Sequence, residues 1–193
     1  MIPLWIKITY TIFTVVTVAV YSFKYPLGNF LWFSDIALVL TVPALWYESS
    51  LLASMMAVGI LLPEVFWNIG FFGRLLTGKR LSGLTDYMFD VQKPRYLRAL
   101  SLFHVFLPVL LLWMIARLGY SPKALIAQTV LAWIVLPLTY VITDKEQNIN
   151  GVFGPRSAQR DRLSSMLYLC LLMIAFPVLV YVPTHLLLMS LYP

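Results

Sequence analysis

The chain has 193 residues, of which 61% are hydrophobic and 11% charged, and its net charge is +6. A soluble domain carries about 25% charged residues. This composition excludes a water-facing surface over the whole chain and leaves lipid to cover most of it.

A membrane-spanning helix needs about 20 mostly apolar residues. Six runs answer that description, at 6–22, 30–47, 51–73, 97–118, 123–143 and 164–191. They are continuous rather than alternating with period two, which argues against a β-barrel. No small-residue cleavage site follows the first run, so it is read as a retained helix and not a signal peptide. The expected fold class is therefore all-α: a polytopic transmembrane bundle of six helices forming a single integral membrane domain over residues 1–193. Cys170 is the sole cysteine, so no intrachain disulfide can form.

Lysines and arginines divide unevenly between alternate connections. Lys24, Arg74, Lys79, Arg80, Lys93, Arg95, Arg98, Lys145, Arg156, Arg160 and Arg162 fall on one side, and Lys7, Arg117 and Lys123 on the other, 11 against 3. By the positive-inside rule the first side is expected to be cytoplasmic, with both termini outside. The net charge is then retention charge facing an anionic leaflet. Nucleic acid is not expected as a partner, because no basic stripe is interleaved with aromatics. Two connections on the basic side are long. Residues 74–96 mix apolar and basic side chains and are expected to lie, partly helical, in the membrane interface around 75–96. Residues 144–162 hold Gly151, Gly154 and Pro155 and read as a structured turn.

Ionisable residues inside spanning segments cost roughly 2.5–3.5 kcal/mol on insertion scales and are functional candidates by default. Asp35, Glu64 and His104 fall in the half of their runs nearer the basic side, and Asp144 closes the fifth run on that same side. Glu64 and Asn68 share a helix face, as do Arg98, Ser101, His104 and Pro108. Thr129, Trp133, Pro137, Tyr140 and Asp144 are expected to form an inward stripe on the fifth run, and Ser34 lies beside Asp35. Asn148 and Asn150 follow in the turn, where they are expected to fold back over the cluster. Simpler roles compete with these. Asp35 can pair with Lys24 or Arg98, Glu64 can be an acid bonded to Asn68, His104 can be a packing group, and Asp144 can end its helix. Tyr10, Thr14, Thr17 and Tyr21 fit a packing stripe on the first run, and His185 fits a structural place near the opposite end.

Carboxylates with a histidine match an oxygen-rich Mn or Fe site, or a catalytic Zn site with an open position, but no H-x-x-x-H, E-x-x-H or C-x-x-C spacing is present. The sequence names no cofactor. Acid–base chemistry suits the same groups, since histidine titrates near neutrality. Ser34, Ser101 and Thr143 are candidate nucleophiles without a G-x-S-x-G motif. Pro43, Pro63, Pro108, Pro137, Pro177 and Pro183 each interrupt a helical ladder.

The strings PLGNFLWFSDIALVLT (26–41), LLPEVFWN (61–68), RALSLFHVFLP (98–108), NINGVFG (148–154) and PTHLLL (183–188) together resemble a bacterial family of multi-pass, membrane-associated proteins. The resemblance covers most of the chain and implies the bacterial cytoplasmic (inner) membrane, with no activity attached. The layout is also similar to YwaF-type multipass proteins, some relatives of which transfer acyl groups through a cysteine. Cys170 stands outside any matching motif, so that mechanism does not carry over.

These readings lead to an expected membrane-embedded enzyme acting on a lipid or other apolar substrate. Glu64, His104, Asp35 and Asp144 are its candidate catalytic groups, and Asn68, Asn148, Asn150, Ser34 and Tyr140 its candidate substrate-binding groups. The alternatives are a proton-coupled carrier of a small solute and a non-catalytic subunit or assembly factor bound to other membrane proteins.

Overall fold

The structure, a computed structural model, describes residues 1–155 and 162–193, the side chains of Arg162 and Leu163 excepted. Arg156 and Arg160 of the charge count lie outside the described residues. The elements are α1 (Leu4–Lys24), a 3-10 turn (Leu27–Leu31), α2 (Phe33–Trp46), α3 (Ser50–Thr77), a second 3-10 turn (Asp86–Met88), α4 (Arg95–Leu100), α5 (Phe103–Leu118) and α6 (Ala124–Ile142). A third 3-10 turn (Ile149–Gly151), α7 (Arg162–Ala175), a π-helical segment (Phe176–Tyr181) and α8 (Val182–Leu191) complete the chain. Among the described residues there is no strand. Five helical stretches are long and apolar enough to cross a membrane, the α4–α5 and α7–α8 stretches each counting as one.

The run at 30–47 contains a shorter helix than its length suggests. α2 has 14 residues, which at ~1.5 Å each reach about 21 Å against a hydrocarbon core of ~30 Å. Trp32, at φ −57° and ψ 133°, leaves helical conformation and separates the 3-10 turn from α2. Asn150 fixes this start from far along the chain. Its side-chain oxygen accepts from the Phe33 N–H at 3.2 Å, and its amide donates to the Leu31 carbonyl at 2.7 Å. Asn150 and Asn148 sit at φ 53° and 41°, left-handed values that asparagine tolerates better than most residues. The Asn148 side chain closes its own loop by accepting from Phe153 N and donating to the Gly154 carbonyl, both at 2.9 Å. The two asparagines therefore brace the loop and the start of α2 rather than folding over the acidic cluster.

α3 is the central helix, packed against α2, α5, α6 and α8. Its buried positions include Ala53, Ser54, Ala57, Gly59 and Gly70. Small residues let helices approach closely where lipid removes the hydrophobic drive between them. At Gly59 a Cβ would stand 2.5 Å from the Gln128 side-chain nitrogen, so glycine here makes room for that amide. On α1 the stripe Tyr10, Thr14, Thr17 and Tyr21 is buried, and the Tyr10 hydroxyl donates to the Leu38 carbonyl at 2.9 Å.

The inward face of α6 differs from the expected stripe. Ala124, Gln128, Ala132, Val135, Leu136 and Thr139 are buried, whereas Trp133 is 52% exposed. Its indole N–H donates to the Met173 carbonyl at 2.9 Å. Pro177, four residues on, has no N–H to offer that carbonyl. A tryptophan whose N–H is satisfied by a neighbouring helix is at ease on the lipid side. Asp144 is exposed in the turn after α6, outside the bundle, and the Tyr140 ring rests on Phe153 with centroids 4.9 Å apart.

Contacts between helix ends sort the molecule into two ends. At one, Glu48, at φ 49° between α2 and α3, accepts from Lys7 Nζ at 2.8 Å and Ile2 N at 3.0 Å. There Ser54 accepts from Ser121 N at 2.9 Å, and the Tyr120 hydroxyl meets His185 Nδ1 at 2.6 Å. His185 thus has a structural partner. The longer connections gather at the opposite end, with Lys24, Arg74, Lys79, Arg80, Lys93, Arg95, Arg98 and Lys145.

Two predictions follow from these contacts. Replacing Asn150 with Ala removes two hydrogen bonds at the start of α2 and is expected to cost about 2 kcal/mol, read as a lowered thermal midpoint in detergent. The second concerns Glu48, whose hydrogen bond from Lys7 holds its carboxyl below the usual carboxylate range. A lowered folded value means that its stabilisation is complete above the unfolded value near ~4.3 and fades as pH falls through the folded one. Thermal midpoints of the Glu48→Gln variant should therefore lose part of the wild-type decline on acidification.

Candidate functional site

Glu64 lies on the buried face of α3 and is 3% exposed. His104 is in the first turn of α5, where its Nδ1 lies 2.9 Å from both Glu64 carboxylate oxygens. The backbone explains why these groups meet. Pro108 has no N–H, so the His104 carbonyl loses its partner four residues on. Asn68 takes that carbonyl: its amide donates to the His104 and Glu64 carbonyls, each at 2.8 Å. One side chain on α3 thus ties α5 to the turn that carries Glu64. Asn68 acts on the two main chains, not on the Glu64 carboxyl as its spacing suggests.

The imidazole is also held on its faces. Its ring stacks on Phe103 at 4.1 Å and on Trp67 at 4.7 Å between centroids, and Trp67 in turn stacks on Phe71 at 5.2 Å. His104 Nδ1 is engaged with Glu64, and among the described residues its other ring nitrogen has no hydrogen-bond partner. Trp67 and Phe103 were not singled out from the sequence. Their signal was present, since Trp67 lies between Glu64 and Asn68, and Phe103 adjoins His104.

A set of hydroxyls adjoins the pair. The Tyr21 hydroxyl meets Ser101 Oγ at 2.9 Å, and Ser101 donates to the Leu97 carbonyl at 3.2 Å. The Ser101 hydroxyl is thus engaged with α1 and with its own helix, not with the His104 ring. The helix expected to run unbroken through this face is interrupted at Ser101 and Leu102, between α4 and α5. The Tyr87 hydroxyl faces Ser101 and the Trp67 indole, and burial pushes this phenol above its ordinary value.

Tyr87 belongs to the connection that the sequence suggested would be a partly helical interfacial segment around 75–96; its ends are the last turn of α3 and the start of α4, and residues 78–94 lie between them. The structure gives it a single 3-10 turn and folds it as a strap onto the end of α3. Two glycines make the seat. A Cβ on Gly70 would stand 2.9 Å from Ser82 Oγ, and one on Gly73 would collide with Leu81. Asp86 then pairs with Arg74 at 2.8 Å and with Arg80 at 2.5 Å. The Arg74 guanidinium lies 4.4 Å over the Phe89 ring, and Arg98 donates to the Met88 carbonyl at 3.2 Å. No periodic pattern encodes such a strap, because what orders it is a seat on another element.

Asp35 occupies the first turn of α2 and is 5% exposed. It pairs with neither Lys24 nor Arg98; Asn29 Nδ2 lies 3.4 Å from one carboxyl oxygen. Its carboxyl is within electrostatic reach of Glu64. Ser34 is half-buried beside it. Of the nine candidates, the structure brings Glu64, His104 and Asn68 into direct contact and Asp35 near them. It sets Asn148, Asn150, Tyr140 and Asp144 in or beside the loop after α6. Among the described residues no three His, Cys, Asp or Glu side chains are grouped to hold a metal ion.

These features define an apolar helical bundle of membrane-protein type with a part-buried Glu–His pair toward its basic end. No family model, curated protein or solved structure matches the chain.

The strap makes one expectation measurable. Diethyl pyrocarbonate modifies accessible histidines, and His185 at the opposite end serves as an internal control. Asp86→Asn is expected to speed modification of His104 about fivefold, the factor that ~1 kcal/mol of a partly exposed ion pair gives. High salt should act in the same direction. Unchanged His104 reactivity in both Asp86→Asn and Gly70→Leu, followed by mass spectrometry, would mean that the strap does not cover the pair.

Proposed function

We propose that the chain is an enzyme embedded in the bacterial cytoplasmic membrane, crossing it six times with both termini outside. In this reading it acts on a lipid or other apolar substrate from the cytoplasmic leaflet. The 3-10 turn before α2 makes up the length that this short span lacks, and the excess of lysine and arginine sets the orientation.

The observation that carries the reading is the part-buried contact between Glu64 and His104 Nδ1, in an imidazole stacked on two aromatic rings whose second nitrogen has no hydrogen-bond partner among the described residues. A carboxylate accepting from Nδ1–H holds the imidazole in the tautomer whose Nε2 carries the lone pair. That nitrogen is the general base, taking a proton from a substrate hydroxyl or a water. Glu64 orients the ring and stabilises the imidazolium that forms. Asn68 is a positioning residue, because it acts through the two backbones.

The packing supports an enzyme over a proton-coupled carrier. Between His104 and the opposite end, Leu107, Leu111, Met114 and Ile115 are fully buried apolar side chains. A carrier needs polar access from both ends, and this packing supports access from one.

The test is the lipid composition of cells producing the wild type or its variants, read by mass spectrometry of extracts. Wild type is expected to change the level of a lipid class. Removing a general base costs about 10²–10⁴-fold in rate, so Glu64→Gln and His104→Gln should abolish the change at equal protein levels. An identical lipid profile for wild type and His104→Gln would sink the enzyme reading.

A further inference from the structure

Residues 74–98 carry six basic side chains and two acidic ones, Asp86 and Asp90. The strap they contain has an inner and an outer side. Inward, Thr85 and Met88 are buried, and Phe89 lies 5.7 Å from Phe71, the ring that stacks on Trp67 beside His104. Outward, Leu76, Leu84 and Val91 are exposed, and so are Lys79, Arg80 and Arg95. Exposed apolar side chains interleaved with basic ones suit contact with lipid headgroups. The depth of the seat agrees. α3 has 28 residues, about 42 Å at ~1.5 Å each, against ~30 Å of hydrocarbon and ~40–45 Å with the headgroups. Gly70 and Gly73 lie within about two turns of its end. The strap they seat therefore rests at headgroup depth.

One carboxylate fastens the strap by charge. Asp86 takes Arg74 from α3 and Arg80 from the strap itself, and all three side chains are part exposed, Arg80 at 65%. Ion pairs this exposed hold weakly against a competing anion. A phosphodiester is such an anion: it pairs with arginine as a carboxylate does, and an anionic leaflet repels Asp86 while attracting its partners. We propose that the outer side of the strap binds anionic phospholipid headgroups, which draw Arg80 and Arg74 from Asp86 and loosen the strap over Glu64 and His104. A zwitterionic leaflet has no net charge and leaves the Asp86 pairs in place. The inference rests on the membrane reading above and supplies its regulation: the site opens where the leaflet is anionic. The strap is followed without turnover, so its response stands or falls separately from the enzyme.

The experiment uses the full chain in vesicles of phosphatidylcholine, or of equal parts phosphatidylcholine and phosphatidylglycerol, treated with diethyl pyrocarbonate. The readout is the modification rate of His104 divided by that of His185, because a change in surface pH acts on both histidines. Phosphatidylglycerol is expected to raise this ratio about fivefold in the wild type, the factor given by one part-exposed ion pair. In Asp86→Asn the ratio should already be high in phosphatidylcholine and should hardly respond to phosphatidylglycerol. Lys79→Glu reverses a charge on the outer side without touching the Asp86 pairs, and should weaken the response severalfold. The proposal is overturned if the wild-type ratio is the same in both vesicles, a comparison that needs no variant to fold. It is also overturned if Asp86→Asn responds as fully as wild type. The same rise on adding inorganic phosphate to phosphatidylcholine vesicles at matched ionic strength would assign the surface to a soluble anion and overturn it too. A lipid profile identical in wild type and His104→Gln removes the enzyme and leaves this response standing.

Discussion

Within lipid, a backbone carbonyl without a partner has no water to turn to, and proline creates such carbonyls four residues before itself. In α5 this falls on His104, because of Pro108. Asn68 answers it from α3 and binds the Glu64 carbonyl with the same amide. The spacing of the two helices is thereby set at the depth of the pair, and Nδ1 comes to rest against both carboxylate oxygens. The geometry of the site is a consequence of satisfying a main-chain atom. The same demand shapes the far side of the bundle, where the carbonyl left by Pro177 receives the Trp133 indole.

Around that fixed point the molecule is built in two unlike halves. Toward one end the core is close-packed and apolar, and α1, α2 and α3 are clipped together by Glu48. Toward the other, hydroxyls, carboxyls and aromatic rings gather under a strap held by two arginines on one aspartate. Glycine decides where the strap can lie, since a side chain at Gly70 or Gly73 would occupy the space of Ser82 or Leu81. The connection after α6 plays a matching part for α2 through Asn150.

Much of this was legible in the sequence. Apolar run length located the long helices, and the inward stripe of α1 followed from the spacing of Tyr10, Thr14, Thr17 and Tyr21. Glu64 and His104 stood out because charge is costly in lipid, and they proved to be in contact. Other features were hidden for identifiable reasons. The α6 face was misjudged because Trp133 and Tyr140 look polar in a row of letters, while an indole N–H can be satisfied at the lipid boundary. Asn148 and Asn150 resemble ligand groups, yet in their left-handed turn the Asn148 amide is taken by its own loop and the Asn150 amide by the Leu31 carbonyl before α2. α2 was overestimated because the residues before it are apolar, and apolarity does not distinguish an α-helix from a 3-10 turn. Asp144 was placed by its position at a helix end, which says nothing about burial.

The stacking of Trp67 on His104 gives the molecule an optical property of its own. An imidazolium quenches an indole in contact with it far more than a neutral imidazole does, and these two rings lie 4.7 Å apart and nearly parallel. The emission of one buried tryptophan is therefore coupled to the charge of the histidine beside it. A change in the charge of His104 is therefore expected to alter the emission of Trp67, with no label attached.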